Sequence, residues 1–164
     1  MEIQRLNKKI KNRFFIWSIL MIASSLLVIP LPDNLAFIRI PWLPLSVIFF
    51  SIMTPSFFGI LSAWFIGFVA DLLQGDMLGQ NAVALSVIAY ISYRFHLQIR
   101  VFPIWQMMIV ILLLLSLNEL ILLWIQGISG QIFFNYTRWI AIIIGALIWP
   151  IFMTLLLNIK SKVN

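Results

Sequence analysis

Residues 40–70 read IPWLPLSVIFFSIMTPSFFGILSAWFIGFVA and contain no charged side chain. A helix that crosses a bilayer needs about 20 mostly apolar residues. These 31 residues are therefore too many for one crossing and suit two crossings joined by a tight turn. Thr54, Pro55 and Ser56 interrupt the stretch, and proline is tolerated in the first turn of a helix. The stretch predicts a helical hairpin in a membrane, whose second crossing begins near Pro55 and ends near Leu73.

The composition of the whole chain agrees with a membrane protein. Of its 164 residues, 63% are hydrophobic and 10% are charged, whereas soluble domains average about 45–50% and about 25%. An ordinary water-soluble globule is therefore excluded. Cysteine is absent, which excludes disulfides, thiolate catalysis and cysteine metal sites. The chain also lacks the alternating pattern of a membrane barrel.

Further apolar segments flank the central stretch on both sides. We predict an all-α integral membrane protein with a basic head (residues 1–13), one transmembrane domain (residues 14–159) and a short tail (residues 160–164). Pro150 is expected to kink the last helix. The six predicted spans are residues 14–31, 41–53, 55–73, 78–95, 102–126 and 139–159.

Positive charge predicts the orientation of the spans. With six spans, the head, the turn at Pro55, the loop around His96 and the tail lie on one side and hold nine of the 11 lysines and arginines. The opposite side holds only Arg39 and Arg138. Because cytoplasmic loops are enriched in Lys and Arg, both termini are predicted to be cytoplasmic. The net charge of +6 is then an orientation signal. Anionic lipid at the basic head is the expected polyanion, and no nucleic acid is implied.

Two carboxylates lie within predicted spans, where ionisable groups are costly and are functional candidates. Asp71 and Glu119 lie about 24 and 26 Å from the cytoplasmic ends of their spans, at 1.5 Å per residue. Both therefore reach the outer leaflet, where Arg39 and Arg138 begin the second and sixth spans. We predict a buried polar cluster of these four residues that fixes helix packing or binds a partner.

Small residues predict which way Asp71 faces. Gly59, Ala63 and Gly67 recur every four residues, a pattern that lets membrane helices approach closely. Asp71 is the next member of that row, so it is expected to face protein. Gly75 and Gly79 flank the polar turn that follows, where glycine supplies backbone freedom.

Other interpretations of these polar residues stay open. Arg39 and Arg138 could reach lipid headgroups, Asp71 could cap a helix end that faces water, and the carboxylates could serve a proton or ion relay. No catalytic motif and no metal-ligand spacing is present. We therefore expect no catalytic residue, no metal and no cofactor.

The stretch GFVADLLQGDMLGQNA at residues 67–82 resembles the signature of the rod shape-determining protein MreD family, whose third span ends in G-x-x-x-D-x-x-x-G followed by L-G. The resemblance covers most of the chain. Where the family often has Asp in the fifth span, this sequence has Glu119, and Ile40 and Pro41 separate Arg39 from Trp42. The other matching features are Pro32-Asp33-Asn34, Arg39 with Trp42, Trp105-Gln106, an acid before an aliphatic run ending in Trp124, and Trp149-Pro150.

This resemblance implies a non-enzymatic, multi-pass protein of the bacterial inner membrane that maintains rod shape. The family works in peptidoglycan synthesis during elongation with MreC, RodZ, RodA, the elongation transpeptidase and, indirectly, the MreB filament. Its helical arrangement is also likened to the substrate-binding subunits of energy-coupling-factor transporters, so the alternative is a small-molecule-binding membrane subunit. The small-residue faces and the scarcity of mid-membrane polar groups favour a scaffold.

Overall fold

The computed structural model describes residues 2–28, 40–75, 77–130 and 136–163. Side chains are described for residues 11, 13–26, 40–75, 77–130 and 136–160. These parts of the chain are helical, with no strand among them. The helices are α1 (Glu2–Val28), α2 (Trp42–Met53), α3 (Ile60–Gln74), α4 (Gln80–Arg94), α5 (His96–Val101), α6 (Ile104–Ile128) and α7 (Tyr136–Val163).

Each of the six predicted spans corresponds to a helix, which confirms the all-α prediction for the described residues. α1 starts at Glu2, so the basic head continues directly into the first helix, and α7 extends through the predicted tail to Val163. The loop expected around His96 instead contains the short helix α5. Pro150 lies inside α7.

Helix α2 forms the centre of the molecule. All ten of its residues from Leu43 to Ile52 are buried, and it packs against α1, α4, α5, α6 and α7. A helix that is apolar on every side lies either in a protein interior or in a membrane, and α2 is enclosed by its neighbours. Phe49 in α2 contacts Trp149 of α7 with ring centroids 6.4 Å apart, so aromatic packing joins the central helix to the last one.

Two helices in the described part of the chain are long and apolar enough to cross a membrane: residues 104–128 and 136–160. Only 22% and 33% of their most apolar segments are buried, whereas core helices of soluble proteins are mostly covered. Helices α2, α3 and α4 have 12, 15 and 15 residues. Such helices extend about 18–23 Å, which is shorter than a hydrocarbon core of about 30 Å. Six complete crossings therefore stay a prediction.

Candidate functional site

The side chain of Asp71 is completely buried near the end of α3, as its place in the row of small residues predicts. Its Oδ2 accepts a hydrogen bond from the backbone N–H of Gly79 at 2.9 Å. Its Oδ1 accepts one from the backbone N–H of Asn81 at 3.0 Å and one from Asn81 Nδ2 at 2.8 Å. The N–H of Ala82 lies 3.4 Å from Oδ2. The carboxylate therefore has a donor for each of its four acceptor positions.

These bonds make Asp71 the cap of the next helix. The first N–H groups of any helix have no partner within it, and α4 is preceded by Gly79, which has no side chain to supply one. Asp71 supplies the missing acceptor from α3, where its negative charge also meets the positive end of the α4 dipole. The interpretation of Asp71 as a helix cap is therefore right, but the capped end is buried and does not face water.

A close approach between α3 and α4 brings the cap into position. A Cβ on Gly67 would lie 2.6 Å from Ala82 Cα and 2.7 Å from the Asn81 carbonyl oxygen, so only glycine fits. Ala63, one turn earlier, is fully buried, whereas a Cβ on Gly59 would meet nothing within 4 Å. Of the row Gly59, Ala63 and Gly67, only Gly67 lies so close to the backbone of Asn81 and Ala82 that a Cβ does not fit.

The turn between α3 and α4 depends on two glycines. Gly75 has φ 68° and Gly79 has φ 98°, a left-handed region that residues with a Cβ rarely adopt. Gly75 ends α3 and Gly79 begins α4. The chain reverses between them, and the reversal brings the backbone N–H groups of Gly79, Asn81 and Ala82 onto the Asp71 carboxylate.

The second carboxylate, Glu119 in α6, has a different partner. Arg138 Nη1 of α7 donates to Glu119 Oε1 at 3.0 Å, and the two side chains are 12% and 40% exposed, for Glu119 and Arg138 respectively. The structure thus brings together two of the four residues of the predicted cluster. Arg39 lies outside the described residues, so a cluster of all four stays a prediction.

Sequence reasoning missed two polar contacts. Asn81 holds Asp71 through both its backbone and its side chain; the available signal was an Asn just after the glycine turn. Arg100 in α5 donates through Nε to the carbonyl oxygen of Ile52 in α2 at 2.8 Å. No sequence signal pointed to that second contact, because its acceptor is a backbone group.

The chain is similar to known proteins along almost its whole length. Residues 8–159 match the family model described as rod shape-determining protein MreD. The rod shape-determining protein MreD of Haemophilus influenzae is 25% identical over 151 residues, which are 92% of this chain and 93% of that relative. No solved structure matches the chain. Because the family match includes Asp71, Glu119 and Arg138 and covers nearly the whole sequence, the chain belongs to the rod shape-determining protein MreD family.

Proposed function

We propose that this chain is a non-enzymatic membrane scaffold of the bacterial elongation complex. Membership of the MreD family implies a role in rod shape determination. In the proposal, the chain couples MreC and, indirectly, the MreB filament to the peptidoglycan synthases, with RodZ, RodA and the elongation transpeptidase as members of the complex. It crosses the inner membrane six times, and both termini are cytoplasmic. The basic head contacts anionic lipid.

The observation that carries the scaffold proposal is that both described carboxylates are used to hold helices. Asp71 accepts four hydrogen bonds from Gly79, Asn81 and Ala82 at the start of α4, and Glu119 pairs with Arg138. Groups that bind a substrate or relay protons need free donors, acceptors or access to water. Because the hydrogen bonds and the ion pair of these two carboxylates join neighbouring helices, they support a role in helix packing.

The alternative, a small-molecule-binding subunit, has less support. Two grooves along the described residues lie on the surfaces of single helices. One, of about 490 Å³, is lined by Leu120, Ile121, Leu123 and Trp124 of α6. The other, of about 300 Å³, lies on α7. The first groove offers no polar side chain to fix the orientation of a small ligand, and the polar residues of the second, Thr154 and Asn158, come from one helix.

We also propose that Arg39 joins Glu119 and Arg138 in one polar layer, because it begins the second span from the same predicted side. This layer either fixes packing or meets a partner helix. Crosslinkers placed singly along α3 and α6 in living cells would identify the helix that contacts MreC. Crosslinks restricted to one face of a helix support a docking role, and an absence of MreC crosslinks from every position contradicts it.

The direct test of function is depletion of the protein in the rod-shaped bacterium that encodes it. We expect the cells to become round, and we expect the wild-type chain and Gly59→Ala to restore rods. Gly67→Ala is expected to fail, because its added Cβ collides with the backbone of α4. Cells that keep their rod shape after complete depletion would contradict the proposal. Stoichiometric binding of a small molecule by the purified chain would favour the alternative.

A further inference from the structure

The short helix α5 turns two large apolar side chains away from the protein. Ile99 is buried, whereas Leu97 and Val101 are 67% and 83% exposed. With about 3.6 residues per turn, Leu97 and Val101 lie on one stripe that is roughly opposite Ile99. One apolar side chain therefore attaches α5 to the core, and the other two form an outward stripe.

The outward stripe has a fixed position, because Arg100 attaches α5 to the end of α2. Its Nε donates to the carbonyl oxygen of Ile52 at 2.8 Å, and its Nη2 donates to the same oxygen. The last carbonyls of a helix have no partner within it and form the negative end of its dipole, so a cation is stabilised there. Helix α5 also packs against α2 and α6. The stripe therefore lies where α2 ends and α6 begins.

Exposed aromatic rings lie on both sides of α5 along the chain. Tyr93 is exposed near the end of α4, and Trp105 is exposed in the first turn of α6. The ring of His96 stacks on Tyr93, with ring centroids 5.7 Å apart. Tyrosine and tryptophan are enriched at the level of lipid headgroups, because their rings combine an apolar body with a polar group. These rings indicate that this end of the helices lies at the membrane surface.

The charges around α5 are complementary to phospholipid headgroups. Arg94 is exposed, and Arg100 has further N–H groups that can donate to a phosphate. Residues 77–118, which include α4 and α5, contain no aspartate or glutamate. An apolar stripe bordered by cations is typical of a helix that lies in the headgroup region of a bilayer. These features favour a lipid surface over a soluble protein as the partner of the stripe.

We propose that α5 is an interfacial anchor that lies in the headgroup region of the membrane. Leu97 and Val101 lie between the acyl chains, and the two arginines lie at the level of the lipid phosphates. The anchor is separate from the basic head, because it lies between α4 and α6. Through Arg100 it holds the end of α2 at a fixed depth in the bilayer. It requires that the chain lies in a membrane and does not depend on the scaffold function.

The test locates single fluorescent labels on the full chain in vesicles of phosphatidylethanolamine and phosphatidylglycerol. Because the chain has no cysteine, Leu97→Cys, Val101→Cys and Leu113→Cys can each carry one bimane label. Leu113 is exposed near the middle of α6 and serves as the reference for the hydrocarbon core. Phospholipid brominated on its acyl chains is expected to quench the labels at positions 97 and 101 more than half as strongly as the label at 113. Iodide on both sides of the vesicle is expected to leave all three nearly unquenched.

The outcomes separate the anchor from membrane insertion in general. Quenching by brominated lipid at position 113, but not at 97 and 101, would overturn the anchor and leave the membrane location of the chain intact. Strong quenching by iodide at 97 and 101 would also overturn it, and the stripe would then face water as a surface for a soluble protein.

A charged substitution in the stripe tests whether the apolar side chains hold α5 in the bilayer. With the label at position 101, Leu97→Asp is expected to at least double the quenching by iodide, because a carboxylate is costly among acyl chains. The matched control is Gln98→Asp, which adds the same charge at an exposed position outside the stripe and is expected to leave the quenching unchanged. Equal increases in the two variants would overturn the proposal.

Discussion

The α3–α4 hairpin and the α6–α7 pair each join two helices through one carboxylate, but they balance its charge differently. Asp71 is fully buried, and its hydrogen-bond donors are two backbone N–H groups, the Asn81 amide and a more distant N–H of Ala82. Glu119 is 12% exposed and faces a positively charged arginine that is itself 40% exposed. One charge is stabilised by neutral dipoles in the interior, and the other by a cation near the surface.

This difference indicates which junction depends more on its acid. Without Asp71, several buried N–H groups of α4 have no acceptor, and such groups are expensive to leave unpaired. Without Glu119, Arg138 is already exposed enough to reach water or a headgroup. The hairpin is therefore expected to be the more sensitive of the two junctions.

The largest effect is expected from Asp71→Ala. It should lower the free energy of unfolding by about 3–5 kcal/mol, because the start of α4 stays buried without an acceptor. The matched variant Glu119→Ala should cost about 1 kcal/mol. Urea unfolding of both variants in mixed micelles measures the difference. Equal costs would show that the two junctions do not differ as described.

A smaller effect is expected from Gly67→Ala. The added Cβ would lie 2.6 Å from Ala82 Cα, so α3 and α4 must separate, at a cost of about 1–3 kcal/mol. Gly59→Ala is the control, because its Cβ meets nothing within 4 Å. The unfolding midpoints of the two variants provide the measurement. A Gly67→Ala protein as stable as Gly59→Ala would rule out the close approach.

Asn81→Ala removes one of the hydrogen bonds to Asp71 and keeps the backbone N–H groups. We expect a loss of about 1 kcal/mol, the net value of a typical hydrogen bond. In the Asp71→Ala background the same substitution should cost much less, because the bond is already gone. A double-mutant cycle measures this coupling. Additive costs would mean that Asn81 does not stabilise the protein through Asp71.

The smallest effect is expected at the surface pair, where the charges can be exchanged. The Glu119→Arg, Arg138→Glu double variant should recover most of the stability lost in either single variant, with a coupling of about 1 kcal/mol. The Asp71→Arg, Arg138→Asp double variant should recover none of the lost stability, because the hydrogen-bond donors to Asp71 are Gly79, Asn81 and Ala82 and not Arg138. If this double variant did recover stability, Arg138 would have to pair with Asp71.

The helices were predictable because long apolar runs broken by proline, glycine and polar turns leave few alternatives in a membrane protein. The burial of Asp71 followed from its four-residue spacing with Gly59, Ala63 and Gly67. Helix α5 was missed because Arg94, His96 and Arg100 give its region the composition of a loop. The short length of α2 (Trp42–Met53) was predicted, because Thr54 and Pro55 interrupt the apolar stretch and end the expected second span at residue 53.

The partners of Asp71 could not be predicted, for a physical reason. Three of the four donors near it are backbone N–H groups, which every residue except proline carries. A sequence therefore suggests pairing with the visible cations, Arg39 and Arg138. The pairing of Glu119 with Arg138 was easier to anticipate, because both members are charged and reach a similar depth.

Amide hydrogen exchange tests most directly whether Asp71 fixes the start of α4. In the wild type, the amides of Gly79 and Asn81 should be protected. In Asp71→Asn these two amides should exchange about 5- to 150-fold faster, because each loses a hydrogen bond worth about 1–3 kcal/mol. The amides of residues 138–142 in α7 serve as the control and should keep their exchange rates. Unchanged exchange at Gly79 and Asn81 in Asp71→Asn would contradict the account.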